Sequence, residues 1–123
     1  MHALIVDDSS TMRMILKAHL NKLGFEVTEA GNGREALICL KEMAKTDLVL
    51  VDWNMPEMDG VSFVRAVRAE SEYASLPLMM VTTNTEISHV SEALEAGANE
   101  YIMKPFTGAV IREKLELLGF LSV

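Results

Sequence analysis

Residues 3–24 read ALIVDDSSTMRMILKAHLNKLG. The apolar run Ala3–Val6 leads without alternation into two aspartates and a serine pair, then into a helix-period stripe that stops at a glycine. An unbroken apolar run is what a strand covered on both faces of a parallel sheet looks like. Met12, Ile15, Leu16, Leu20 and Leu23 recur at helical spacing on one face, with Ser9 or Ser10 placed to cap the helix and Gly24 to end it. The stretch is one β-α unit with its polar residues at the strand tip.

The same unit recurs along the chain. Further strands are predicted at Glu26–Ala30, Leu48–Val51, Leu78–Thr82 and Glu100–Met103. Between and after them lie helical stripes: Ala36, Leu37, Leu40 and Met43; Val61, Val64 and Val67; Ile87, Val90 and Leu94, ending at Gly97; and Val110, Ile111, Leu115 and Leu118. Five β-α units in series predict an α/β fold, a doubly wound five-stranded parallel sheet with five helices, because right-handed crossovers place helices on both faces. No linker or second composition regime interrupts residues 1–123, so one domain is expected to fill the chain.

Composition narrows the function. A formal charge of −7 and a pI near 4.9 argue against a nucleic-acid surface, which needs a basic stripe. The longest apolar runs fall far short of the roughly 20 residues that span a bilayer, and no charged n-region precedes an apolar h-region. Cys39 is alone, which excludes an internal disulfide and cysteine-cluster metal sites; as a small buried thiol it fits a reducing cytoplasm. His2, His19 and His89 lack ligand spacing, and Met55, Met58, Met79 and Met80 read as packing residues.

In open parallel sheets, ligands bind beyond the carboxyl ends of the strands. There the first strand runs into Asp7 and Asp8, the third into Asp52, the fourth into Thr82 and the fifth into Lys104. Two carboxylates about 4 Å apart repel by about 4 kcal/mol at an effective dielectric near 20. A set of three needs positive charge, which Lys104 and a hard divalent cation can supply. Mg²⁺ suits few carboxylates, several waters and a phosphate oxygen, while the lack of His and Cys ligands disfavours zinc and copper. An aspartate can be a nucleophile toward phosphorus, with metal and lysine neutralising the transferred group and Thr82 donating a hydrogen bond to it. No P-loop is present, so ATP is not the expected donor. Taken singly, the aspartate pair could be a helix cap, Lys104 a surface lysine, Tyr101 a plain strand aromatic and Trp53 either core or pocket rim.

The runs LIVDDSSTMRMIL, LVLVDWNMPEMDG, LMMVTT and YIMKPF together resemble the signature of response regulator receiver domains of two-component signalling, and most closely the stand-alone chemotaxis regulators. The resemblance covers nearly the whole chain. It implies a flavodoxin-like sheet of order 2-1-3-4-5 and a single receiver domain over 1–123 without an output domain. It also implies Asp52 as phosphoacceptor, with Mg²⁺ held by Asp8, Asp52 and the Asn54 backbone carbonyl directly and by Asp7 through water. Lys104 would reach the phosphoryl group, next to a cis Lys104–Pro105 peptide. Thr82 and Tyr101 would form the switch pair, read out on the fourth helix, fifth strand and fifth helix. The implied donor is a phosphohistidine on a sensor histidine kinase. The implied target is the flagellar motor switch or another effector protein, and the domain is expected to be a cytoplasmic monomer that catalyses only its own phosphorylation and dephosphorylation.

Two readings of this site stay open. The domain is either a signalling module that binds a partner when phosphorylated, or a phosphorelay carrier or phosphate sink exchanging with a histidine phosphotransfer protein. An aspartate-nucleophile phosphatase would need a second aspartate two residues after the nucleophile, where Asn54 stands. The fourth helix carries Glu86, Glu92 and Glu95 and no lysine, which departs from the basic helix of motor-binding regulators. Thr83 stands where the family usually places a smaller residue, and Asn54 and Asn84 occupy the positions that tune phosphate lifetime.

Overall fold

The computed structural model describes residues 1–83 and 90–120. Strands β1 (His2–Val6), β2 (Glu26–Ala30), β3 (Leu48–Asp52), β4 (Leu78–Thr83) and β5 (Glu100–Lys104) alternate with helices α1 (Ser10–Lys22), α2 (Gly33–Glu42), α3 (Gly60–Arg68), α4 (Val90–Ala96) and α5 (Gly108–Leu117). A 3-10 turn, Ser71–Tyr73, separates α3 from β4. The sheet is parallel throughout, in the order β2-β1-β3-β4-β5. Chain direction reverses its march across the sheet between β1 and β3, which makes the crevice at their carboxyl ends the place where a ligand fits.

The apolar runs explain the layering. β1, β3 and β4 are central and buried, so both faces need apolar side chains. Leu4, Val6, Val49, Val51, Leu78 and Met80 pack under α2, α3 and α4. Ala3, Ile5, Leu48, Leu50, Met79, Val81 and Ile102 pack under α1 and α5. The edge strands β2 and β5 are only partly covered, which is why their sequences EVTEA and EYIMK carry charge.

Caps set where helices begin. Ser9 caps α1 by accepting from the Met12 N–H, Asn32 caps α2 through Glu35 N–H, and Asp59 caps α3 through Ser62 N–H. Gly24, with φ of 93°, takes the left-handed conformation after α1.

Several expectations need correction. Ile15 is 40% exposed, so the buried side of α1 is Leu16 and Leu20, with Met12 and Leu23 at its margin. Leu94 is 44% exposed, and Ala93 is the buried residue of α4. Phe63, fully buried, joins Val61, Val64 and Val67 under α3. Each miss follows from the width of the buried stripe, which depends on the neighbouring helix rather than on period alone. Asn84, Glu86, Ile87 and His89 lie outside the described residues.

Candidate functional site

The acidic cluster is built from the turn after β1 and the last residue of β3. Asp7 follows Val6 directly, and its N–H donates to the Ala30 carbonyl at 3.1 Å, extending the ladder one residue past β1. Its Oδ1 accepts from the Ser9 N–H at 2.8 Å. Arg13 of α1 donates to the Asp7 carbonyl at 2.6 Å and pairs with Glu29 of β2 at 3.1 Å. The backbone that presents Asp7 is therefore gripped from both neighbouring elements.

Asp52 ends β3 and pairs in register with Val81 of β4. The chain then turns sharply: the Trp53 N–H donates to the Val81 carbonyl at 3.2 Å, and the Gly60 N–H to the Trp53 carbonyl at 2.9 Å. The need for glycine at 60 is steric. A Cβ there would overlap the Asp52 carbonyl oxygen and come within 2.8 Å of the Met80 methyl. The positive φ of this loop belongs to Glu57, at 66°. Asn54 is exposed in this β3–α3 loop.

Carboxylate oxygens of Asp7, Asp8 and Asp52 all lie within 4.8 Å of one another. Asp7 is 1% and Asp52 7% exposed, while Asp8 opens to solvent. Lys104 closes the far side, its Nζ 3.4 Å from Asp52 Oδ1 and 3.6 Å from Asp7 Oδ2. Burial pushes the Asp7 carboxyl above its ordinary value; the Ser9 N–H and the Lys104 charge oppose this, and Asp8 adds to it. Asp7 Oδ2 is buried without a hydrogen bond. An all-oxygen set with one orphaned carboxylate oxygen and a single nearby amine fits a hard divalent cation. The Lys104–Pro105 peptide is cis.

Thr82 lies on β4 next to Val81, the register partner of Asp52, and Tyr101 lies on the neighbouring strand β5. Thr82 is buried one residue beyond Val81, and its hydroxyl donates to the Thr83 carbonyl at 3.4 Å. With Trp53, Met80, Ala93 and Tyr101 it lines a narrow apolar crevice against α4. Trp53 is partly buried and packs on the face of the sheet covered by α2, α3 and α4.

Residues 3–116 match the family model described as the response regulator receiver domain. The chain belongs to that family. This receiver domain is 49% identical over 119 residues to the chemotaxis protein CheY1 of Helicobacter pylori, covering 96% of each chain. Its fold superposes on the chemotaxis protein CheY4 of Vibrio cholerae with a TM-score of 0.87 at 37% identity, over 94% of this chain and 96% of that one. It also superposes on the receiver domain of the sensor histidine kinase PA1611 of Pseudomonas aeruginosa, with a TM-score of 0.85 at 29% identity over 94% of each. That structure has a magnesium ion coordinated in its active-site cleft. Among the described residues of this chain, no helix is long and apolar enough to cross a membrane.

The receiver fold thus brings Asp7, Asp8, Asp52 and Lys104 together, and sets Thr82 and Tyr101 along the adjoining crevice. Sequence reasoning missed Arg13. A mid-helix arginine has no local signature, and only the return of β2 beside β1 shows that it reaches both Glu29 and the Asp7 carbonyl.

Proposed function

We propose that this receiver domain takes a phosphoryl group on Asp52 from a phosphohistidine of a sensor histidine kinase and thereby switches its binding to a partner protein in chemotaxis. The observation that carries the reading is the acidic cluster with the Lys104 amine 3.4 Å from Asp52 Oδ1. An Asp52 oxygen attacks phosphorus, the phosphorus–nitrogen bond of the donor breaks, and an acyl phosphate forms on this chain. Lys104 moves from carboxylate to phosphoryl oxygens and neutralises their charge. Asp7, Asp8, Asp52 and the Asn54 carbonyl are the groups to hold Mg²⁺, which when bound neutralises charge on the transferred group. Thr82 then donates its hydroxyl to the phosphoryl group, and the Tyr101 ring turns into the space released, changing the surface of α4, β5 and α5.

Phosphorylation adds roughly two negative charges, and moving an equilibrium from 1:99 to 99:1 takes about 5.5 kcal/mol of differential interaction. A charge-assisted contact to Lys104 and a hydrogen bond from Thr82 contribute to that difference. In this reading the domain is a cytoplasmic monomer, and it catalyses only its own phosphorylation and dephosphorylation.

Beryllofluoride with Mg²⁺ tests the proposal. Trp53 fluorescence is expected to change in the native protein and to stay constant in Asp52→Asn; a native protein that neither responds nor takes label from a small phosphodonor refutes it. Glu92 and Glu95, with no lysine in the described part of α4, favour keeping the phosphorelay reading as a second possibility. Transfer of the group from Asp52 to a histidine phosphotransfer protein, with no phosphorylation-dependent effector binding, would select it.

A further inference from the structure

Lys114 of α5 reaches back across β5. Its Nζ lies 3.1 Å from Glu100 Oε1 and 4.9 Å from the centroid of the Tyr101 ring. The same Glu100 oxygen accepts from the Tyr101 N–H at 3.0 Å. The two charged side chains are 22% and 20% exposed, so the pair is held against the protein rather than freely solvated. Glu100 and Tyr101 also line the crevice shared with Trp53 and Thr82. A lysine stem is flexible, and the carboxylate confines its amine to the face of the ring, where the ring quadrupole attracts it.

We infer that Glu100 and Lys114 form a latch that holds the Tyr101 ring in its resting position and so sets how many unphosphorylated molecules adopt the active arrangement. The inference rests on the switch role proposed above for Tyr101. A contact biases two ring positions only by its difference between them. A partly solvated cation–π contact corresponds to about two- to fivefold in population, enough to tune a resting level without replacing phosphorylation.

Protein carrying 3-fluorotyrosine in a Tyr73→Phe background reports Tyr101 as a single fluorine resonance, since the chain has two tyrosines. Without a phosphodonor, Lys114→Gln and Glu100→Gln are expected to move that resonance part-way toward its position under beryllofluoride and Mg²⁺, matching about a two- to fivefold rise in the active arrangement. Glu100→Gln keeps a carbonyl for the Tyr101 N–H, so its effect isolates the lost charge. Lys114→Arg keeps both charge and ring contact and is expected to stay at the native position. Resonances of Lys114→Gln and Glu100→Gln that remain native, while the parent protein still shifts with beryllofluoride, overturn the latch. A parent resonance that ignores beryllofluoride overturns the switch role of Tyr101 and the latch with it.

Discussion

The Lys104 amine lies 3.4 Å from Asp52 Oδ1 although 52 positions separate the two residues. It is also 3.6 Å from Asp7 Oδ2, so one amine at the end of β5 faces carboxylates at the ends of β1 and β3. Lys104→Ala leaves two buried carboxylates without that charge. Breaking a buried pair costs several kcal/mol; with the lysine side chain 21% exposed, a loss of about 1–3 kcal/mol is expected in EDTA. Urea titrations with and without Mg²⁺ check this, and the cation is expected to recover most of the loss.

Asp7 makes stability depend on pH in the unusual direction. Its folded-state pKa is raised above 3.8, chiefly by burial, so the folded protein binds a proton more tightly than the unfolded chain. The contribution is favourable below the unfolded value and is lost as pH rises through the folded one. In EDTA, the Asp7 contribution is therefore expected to raise stability as pH falls from neutral toward 4. Asp7→Asn removes this trend, raises the neutral-pH melting temperature, and weakens Mg²⁺ binding about tenfold. Melting curves at several pH values, paired with Mg²⁺ titrations of Trp53 fluorescence, decide it.

Gly60→Ala is expected to destabilise, against helix propensity. Gly60 is the first residue of α3, where alanine alone would add about 1 kcal/mol. The added Cβ would meet the Asp52 carbonyl, a backbone atom that cannot swing away, and Trp53 Cα at 3.0 Å. A net loss of about 1–3 kcal/mol follows from overpacking. Gly31→Ala, whose Cβ meets only Glu35 Oε2 at 3.4 Å and Arg13 at 3.8 Å, serves as the control in chemical denaturation.

Arg68 ties the opposite end of the sheet together. Its guanidinium donates to the carbonyls of Gly97 at 3.0 Å and Tyr73 at 2.6 Å and to Asn99 Oδ1 at 2.9 Å, while Asn99 Oδ1 also accepts from the Leu78 N–H at 2.8 Å. Arg68→Ala is expected to cost about 2–4 kcal/mol, and Arg68→Lys nearly as much because an ammonium cannot reproduce the fork. Mg²⁺ affinity is expected to stay unchanged in both, since the clamp lies at the amino ends of β4 and β5.

The sequence by itself determined the β-α alternation, the parallel class of the sheet, and which residues stand at strand tips. Those features are local: apolar runs, helical period and caps report on covered faces within a few neighbouring residues. Asp7, Asp8, Asp52 and Lys104 were legible because each interrupts or ends an apolar run where a strand must stop. Strand order came from resemblance rather than from physics, because crossover handedness permits several orders. Tertiary structure alone decided the rest. Ile15 and Leu94 are only partly covered by the described residues, Gly60 is required by a carbonyl that only the folded β3–α3 turn brings near, and Arg13, Arg68 and Lys114 act on backbone or rings far away in sequence. A long polar side chain carries no periodic signal; its partner is set by which strands lie side by side, and that is a property of the packed sheet.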